Sequence, residues 1–398
     1  MSISTVRVGD ISTQIRGVTY GKDEAQGGPL AAHVALLRAG NIDGFGINYN
    51  DLVYVPQTRV ATKQRLRRND VLVAASSGSL SVVGKAGLIR GDVDATFGAF
   101  CKVLRPTAAV HPSYFAHYFR TPQYRAEVSR LAAGANINNL RNDDLNNLEV
   151  PLPPLPEQRR IAAILDQADE LRAKRRRALA LLDELADSIF IDMFEMGQIS
   201  DWPTMLLQSV AELQGGLTVN RTRVSMPLEV PYLRVANVGR GRIALDHVKT
   251  MLVSHTELER VRLNIGDLLI VEGHGNAAEV GRVARWSDAR ADTVHQNHLI
   301  RVRALEARLN PVYLESYMNS SRGRAYFARV AKTTSGLNTI NMANVRAVPT
   351  LIPPLSIQQT YAERIAHIER CRAIRFGHLA KLDELFASLQ HRAFRGEL

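Results

Sequence analysis

The sequence predicts a twice-written α/β (α+β) protein. Two mixed globules are joined by two long helices that form an antiparallel coiled coil, the halves related by a pseudo-twofold internal repeat. Three observations predict it. Residues 153–194 and 353–394 align without a gap at an offset of 200, with 16 of 42 positions identical. Each of these stretches opens on a proline-rich hinge and continues at helical periodicity. The excess positive charge falls in two equal blocks, +5 over residues 1–150 and +5 over 195–352, out of +11 for the 398-residue chain.

Taken in order, residues 1–150 form the first globule, 151–194 a hinge and the first long helix, 195–352 the second globule, and 353–398 a second hinge and helix. Met1 to Ile11 reads as a strand; Arg7 and Asp10 within it argue against a signal peptide. Short apolar runs such as Val71–Ala74 and Leu268–Val271 predict buried strands. Pro112 and Pro311 predict helix starts, because a first-turn proline loses no hydrogen bond there. Anchors recur between the globules: Leu37-Arg-Ala-Gly-Asn-Ile42 with Leu233-Arg-Val-Ala-Asn-Val238, and Val83-Gly-Lys85 with Val280-Gly-Arg282. The segments between anchors differ, as two related but distinct targets require.

The hinges, Pro151-Leu-Pro-Pro-Leu-Pro156 and Ile352-Pro-Pro-Leu355, force extended chain. Beyond the first, a 3.5-residue apolar period runs for about five heptads, a coiled-coil signal. It predicts packing through Ile161, Leu182 and Ile189 at one heptad position and Ile164, Leu171 and Leu185 three residues on. The second helix offers Tyr361, Ile365, Ile368, Leu379, Leu382, Leu385 and Leu389, a looser stripe interrupted by Gly377. A 38-residue helix would be about 57 Å long, and an antiparallel partner would return the C-terminus to the first globule.

Composition narrows the function. With 45% hydrophobic and 22% charged residues the chain reads as globular, and no run approaches the about 18 apolar residues of a membrane span. Two cysteines, Cys101 and Cys371, rule out a disulfide framework and a cysteine zinc cluster, and point to the cytoplasm. A chain with 50 basic residues in two blocks suits a protein that grips a polyanion at two places.

Catalytic motifs fall short. Gly78–Lys85 resembles a phosphate-binding loop, but five residues separate its glycines where the motif has four, and Ala86 stands in place of the magnesium-side hydroxyl. Gly281-Arg282 keeps the same spacing, so a shared turn explains both; Lys85 and Arg282 at its end could touch a DNA phosphate. Asn310-Pro-Val-Tyr313 resembles the target-amine motif of adenine methyltransferases, yet His111-Pro-Ser-Tyr114 lacks the Asn, and no cofactor loop precedes either. His274, His295 and His298 have no metal-ligand spacing, so no metal is expected.

These features together resemble the specificity subunit of type I restriction–modification systems. The resemblance covers the whole chain. It is carried by the duplication, by Pro153-Pro-Leu-Pro-Glu157-Gln158 leading into the helix, by Gly134-Ala-Asn-Ile-Asn-Asn139 and Gly336-Leu-Asn-Thr-Ile-Asn341 before the hinges, and by the ending Ala393-Phe-Arg-Gly-Glu-Leu398. It implies that each globule is a target-recognition domain for half of a bipartite, asymmetric site in double-stranded DNA, with the helices as spacer and docking platform. It implies two methyltransferase (modification) subunits as partners, and restriction–motor subunits in the nuclease form. S-adenosylmethionine, ATP and Mg would then belong to those partners, with no cofactor and no active site in this chain.

Base reading needs amides, hydroxyls and cationic side chains on polar loops. The candidates in the first globule are Arg16, Thr19, Tyr20, Lys22, Ser76, Ser77, Ser79, Asn136, Asn138 and Asn139. In the second they are Arg221, Arg223, Arg240, Arg242, His274, Asn276, Thr333, Ser335 and Asn338. Two other readings stay open on the residues alone. A self-contained methyltransferase or nuclease would bind S-adenosylmethionine or cut DNA by itself. A coiled-coil protein adaptor would ignore salt and DNA sequence.

Overall fold

The computed structural model describes residues 4–44, 46–131, 138–196, 202–288, 290–334 and 336–398, with the backbone alone at Asn138 and Thr334. The chain divides into two compact units, Met1–Ala178 with Phe376–Leu398, and Leu179–Arg375. Each unit therefore holds one globule and a half of each long helix.

The first unit is built on an antiparallel sheet in the order Ser12–Arg16, Cys101–Pro106, Val71–Ala74, Ala86–Leu88. A second sheet places His33–Leu37 between antiparallel Val53–Pro56 and parallel Ala95–Phe97. The second unit repeats both orders, with Ala211–Gly215, Leu299–Ala304, Leu268–Val271, Val283–Arg285 in one sheet and Lys249–Val253, Leu228–Leu233, Val294–His295 in the other. The two apolar runs expected as strands are buried at every residue. An uninterrupted apolar run suits a strand covered on both faces.

Of the strand expected over Met1–Ile11, residues 1–3 lie outside the described residues and Val8–Ile11 is not strand. Thr5–Arg7 pairs with Glu149–Pro151, and the chain then turns into a short helix, Val8–Ile11. Val8 and Ile11, three apart, share a helical face and both enter the core, which a strand would not allow.

Helices start on the two prolines, Pro112–Tyr118 and Pro311–Asn319. Their buried Tyr114 and Tyr313 donate to the carbonyls of Pro151 (2.7 Å) and Leu351 (3.0 Å), tying each helix to its hinge. The identical glutamines of the repeat complete the joint. Gln158 accepts from the His111 amide at 2.8 Å and donates to the Pro153 carbonyl at 2.8 Å. Gln358 does the same with Asn310 and Pro353, at 2.8 and 2.7 Å. Both amides are buried, so leaving either unpaired would be costly.

The long helices are Leu155–Phe194 and Leu355–Ala393. In the first unit they run antiparallel, since Arg160 reaches the Leu398 carbonyl and Arg172 reaches Asp383. In the second, Arg372 bonds Asp183 at 2.7 Å, and the Phe190 and Tyr361 rings meet at 5.8 Å. The helices are part of each core. Ile161, Leu165, Phe386 and Phe394 join the cluster around Tyr114, with the Tyr114 and Phe394 rings 5.0 Å apart. Phe190, Phe194, Tyr361, Ile365 and Ile368 join the one around Tyr313, with Phe194 4.7 Å from that ring.

The expected packing stripe needs one correction. Ile161 is buried, and Leu182 and Ile189 are half-buried against the second core. Ile164 is half-buried, while Leu171 (46% exposed) and Leu185 (47%) face outward. The inward positions are instead Leu165, Arg172 and Ala186, four residues after the first series rather than three. Spacings of 3 then 4 and of 4 then 3 share one 3.5-residue average, so periodicity alone leaves the phase open. On the second helix Tyr361, Ile365 and Ile368 are buried, and Leu379, Leu382 and Leu389 are half-buried. Leu385 is exposed and its neighbour Phe386 takes the inward place. Gly377 leaves the helix unbroken. No helix among the described residues is long and apolar enough to cross a membrane.

Candidate nucleic-acid interface

Each unit carries a small polar ribbon at the end of its central buried strand. In the first, Ser76–Ser77 pairs antiparallel with Asn138–Asn139. The ribbon is anchored where the Leu140 amide donates to the Ala75 carbonyl (2.8 Å) and Lys102 Nζ to the Leu140 carbonyl (2.6 Å). Ser76 Oγ donates to Asn139 Oδ1, which orients the Asn139 amide nitrogen away from the serine. Ser79, next along, is exposed and shares a 2.8 Å hydroxyl bond with Ser81.

The second unit has three strands here: Gly273–His274, then Leu337–Thr339, then Lys332–Thr334. Its anchor is equivalent, the Ile340 amide donating to the Glu272 carbonyl at 2.8 Å. Asn338 sits at the centre. It accepts from Thr333 Oγ1 (2.7 Å) and donates to the Gly275 carbonyl (3.1 Å). His274 Nδ1 lies 3.0 Å from the Asn276 amide, which donates to it, and the ring is half-buried. Asn276 Oδ1 caps the next turn through the Ala278 amide. The two ribbons thus occupy the same place in one frame and offer different chemistry.

Segments far apart in sequence meet in these ribbons: Ser76 and Ser77 with Asn139, and His274 and Asn276 with Asn338 and Thr333. Asn136 and Ser335 lie outside the described residues. Arg16 is exposed at the end of its strand, opposite Lys102. Thr19, Lys22, Arg221 and Arg242 are exposed on loops, and Tyr20 is half-buried against a small core of Val18, Val34, Leu36 and Val55. Lys332, absent from the sequence candidates, is exposed on the strand opposite Thr339. Only its strand partner marks it out.

Three of the arginines expected as DNA contacts make bonds within the fold. Arg223 is buried, gripping Glu257 at 3.0 and 3.1 Å and the Thr218 and Leu252 carbonyls. Arg282 donates to the Val238 and Val235 carbonyls and pairs with Glu279 at 2.9 Å. Arg240 bonds Asn319 and the Ala278 carbonyl. These bonds hold part of each guanidinium within the fold, and breaking them would leave acceptors unpaired. Lys85 stays half-buried at its turn. That turn is the shared one expected, with Gly84 and Gly281 both at positive φ (75° and 73°) and their amides donating to the Ala74 and Val271 carbonyls. Asn310 is a helix cap, accepting from the Val312 amide at 2.9 Å. Among the described residues no His, Cys, Asp or Glu group converges as a metal site.

His295 is wholly buried, its Nδ1–H donating to the Leu299 carbonyl at 3.0 Å and its Nε2 left unpartnered. Burial, with Arg301 nearby, pushes its pKa down to about 4. The folded state therefore holds it neutral, and stability present above the unfolded value of about 6.5 drains away as pH falls toward 4. Between pH 7.5 and 5 the expected loss is about 2 kcal/mol. Urea unfolding of wild type and His295→Asn at the two pH values checks this, the variant losing about that much less; an equal pH response in that variant would refute it.

Two globules of one frame, each presenting a different polar ribbon, define a duplicated recognition subunit. Residues 6–180 match the family described as type I restriction modification DNA specificity domain. The chain is 31% identical to the EcoKI type I restriction enzyme specificity subunit of Escherichia coli K12, over 98% of this chain and 88% of that one. It is 29% identical to the StySPI specificity subunit of Salmonella potsdam, over 99% and 89%. Among solved structures, a type I system S subunit from M. genitalium aligns over 98% of this chain and 96% of that one, with TM-score 0.54 at 12% identity, a likeness of fold. The chain belongs to the type I restriction–modification specificity subunits. It is accordingly a DNA-recognition subunit, and not itself an enzyme.

Proposed function

We propose that the two globules read the two halves of a split, asymmetric DNA site, and that the long helices dock two methyltransferase subunits. The observation that carries this reading is the pair of ribbons: one position in a repeated frame, Ser/Asn chemistry in the first unit and His/Asn/Thr in the second. Exposed apolar side chains on the helices, Leu171 and Leu385 in the first unit and Leu181, Leu185 and Ile374 in the second, support docking. On this reading S-adenosylmethionine is held by the methyltransferase subunits, ATP and Mg by motor–nuclease subunits where present, and the complex works in the cytoplasm, where its DNA is.

The test is single-molecule methylation sequencing of the source genome with the gene intact, deleted, or replaced by Asn139→Ala or His274→Ala. Deletion should erase a split adenine-methylated motif. Each variant should relax base choice in one half only, a different half for each, and weaken duplex binding about 5- to 150-fold, the worth of one good base contact. Binding should fall steeply with salt. Methylation unchanged on deletion, or both variants relaxing the same half, would sink the reading.

A further inference from the structure

The first unit contains an open cavity of about 690 Å³ whose walls include Glu127, Asp143, Asp144 and Glu149, with the Tyr118 and Phe394 rings beside them. Arg130 is on the same wall, paired with Glu127 at 2.6 Å, and among the described residues Asp143, Asp144 and Glu149 form no ion pair. On a chain of net charge +11 this concave acidic spot repels DNA, and its occupant is something else.

The repeat supplies an internal control. The second globule builds the same helix–turn–strand frame, Met342–Arg346 and Pro349–Leu351 against Asn142–Asn146 and Glu149–Pro151. At the positions of the four acids it has Tyr326, Ala343, Asn344 and Pro349. Tyr326 hydroxyl donates to the Asn344 carbonyl at 2.8 Å, and the Tyr118 counterpart, Tyr317, donates to the Pro349 carbonyl at 2.7 Å. The fold therefore has no need of the carboxylates. Tyr118, by contrast, is 8% exposed and its hydroxyl has no hydrogen-bond partner among the described residues, although it lines the cavity. That hydroxyl opens on the cavity, at the inner end of a largely buried ring, where a donor or acceptor from outside the fold can reach it.

We propose that this cavity receives an arginine- or lysine-bearing segment of a protein partner, the cationic head meeting the carboxylates and the Tyr118 hydroxyl, and its stem lying along Phe394. A bare metal ion fits poorly, since no group of described carboxylates converges on one point. A basic side chain combines the length, the charge and the apolar stem that the mixed lining matches. The site lies where globule, hinge and C-terminal helix meet, so the segment would brace the globule on its helices. This rests on the reading that the chain assembles with methyltransferase subunits, which makes such a subunit the partner to test.

The experiment titrates full-length chain against its methyltransferase subunit, comparing wild type with an Asp143→Ala, Asp144→Asn, Glu149→Gln variant and with Tyr118→Phe. These changes spare the frame: Asp144 caps the Arg141 amide, and Asn344 caps the Asn341 amide equally in the second copy. The triple variant should assemble about tenfold more weakly or worse, and Tyr118→Phe more weakly than wild type, at unchanged melting temperature and undiminished DNA affinity. Unchanged assembly in both variants overturns the cavity's role and leaves the assembly reading intact. A wild-type chain that forms no complex overturns the assembly reading and the cavity's role with it. Spermidine binding that the triple variant loses, with assembly unaffected, would assign the cavity to a small polyamine and overturn the peptide.

Discussion

Replacing Asp169 by alanine should cost the first unit about 3–5 kcal/mol, the range for removing one partner of a buried charge network. Asp169 is nearly inaccessible and holds two guanidinium groups, Arg120 through bonds of 2.7 and 3.0 Å and Arg172 at 3.0 Å. Burial alone would push its carboxyl up; the Arg120 and Arg172 guanidinium groups more than offset this and hold it below the usual range. Arg172 extends the chain of charges to Asp383 at 2.6 Å, which Arg176 also meets, and lies 4.1 Å over the Phe386 ring. Globule and both helix halves of the unit are thus locked by one network. The alanine variant takes from Arg120 the carboxylate it grips and leaves Arg172 with Asp383, and melting should drop by about 10 °C for a unit of this size. Asp169→Asn, which keeps an acceptor, should lose less. Asp383→Ala should also lose less, because Asp383 is more exposed and Arg172 keeps Asp169. A scanning-calorimetry shift of only a degree or two for Asp169→Ala would contradict the assignment.

Gly216→Ala should be comparably severe, about 3 kcal/mol or more. A Cβ there would stand 2.3 Å from the Gln296 carbonyl oxygen and 2.4 Å from that of His295. Its counterpart Gly17 would place one 2.1 Å from the Gly98 oxygen. At both sites the chain crosses closely between two sheets, sealed by the Leu217 amide on the His295 carbonyl (2.9 Å) and the Val18 amide on the Phe97 carbonyl (2.7 Å). Only backbone can yield, so both strands must part. Gly377→Ala provides the contrast. A Cβ there meets nothing within 4 Å on an exposed helical face, and the change should stabilise by about 1 kcal/mol. Denaturant midpoints moving in opposite directions would confirm the pair; a Gly216→Ala protein as stable as wild type would refute the close crossing.

Much of the frame was legible because it is written twice. The prolines at both helix starts and the hinge glutamines sit at matching positions, and their roles follow from local chemistry. The phase of the helix stripe was not legible, since Leu171 and Leu185 satisfy the same mean period as Leu165 and Ala186. The setting of the arginines was hard to read from the sequence. Arg223 lies on a polar loop, and nothing in the sequence says that Glu257, 34 residues on, takes its charge. The same holds for the amide-rich segments: the pairing of Asn139 with Ser76, 63 positions apart, needs the strand register that only the folded chain supplies. The acidic cavity stayed hidden for the same reason, its walls coming from separate stretches of the first half and from Phe394.

The division of the chain into its units also bears on the order of folding. Leu179–Arg375 is a single stretch, whereas the other unit is made of Met1–Ala178 and Phe376–Leu398, which brings Phe386, Ala393 and Phe394 to its core. On a ribosome, which releases the chain from its N-terminus, the globule made first is the one finished last. Until the final helical turns emerge, its nascent form carries an open seam beside Ile161 and Tyr114, a hydrophobic surface for chaperones to cover, while the later-made unit can already close on its own.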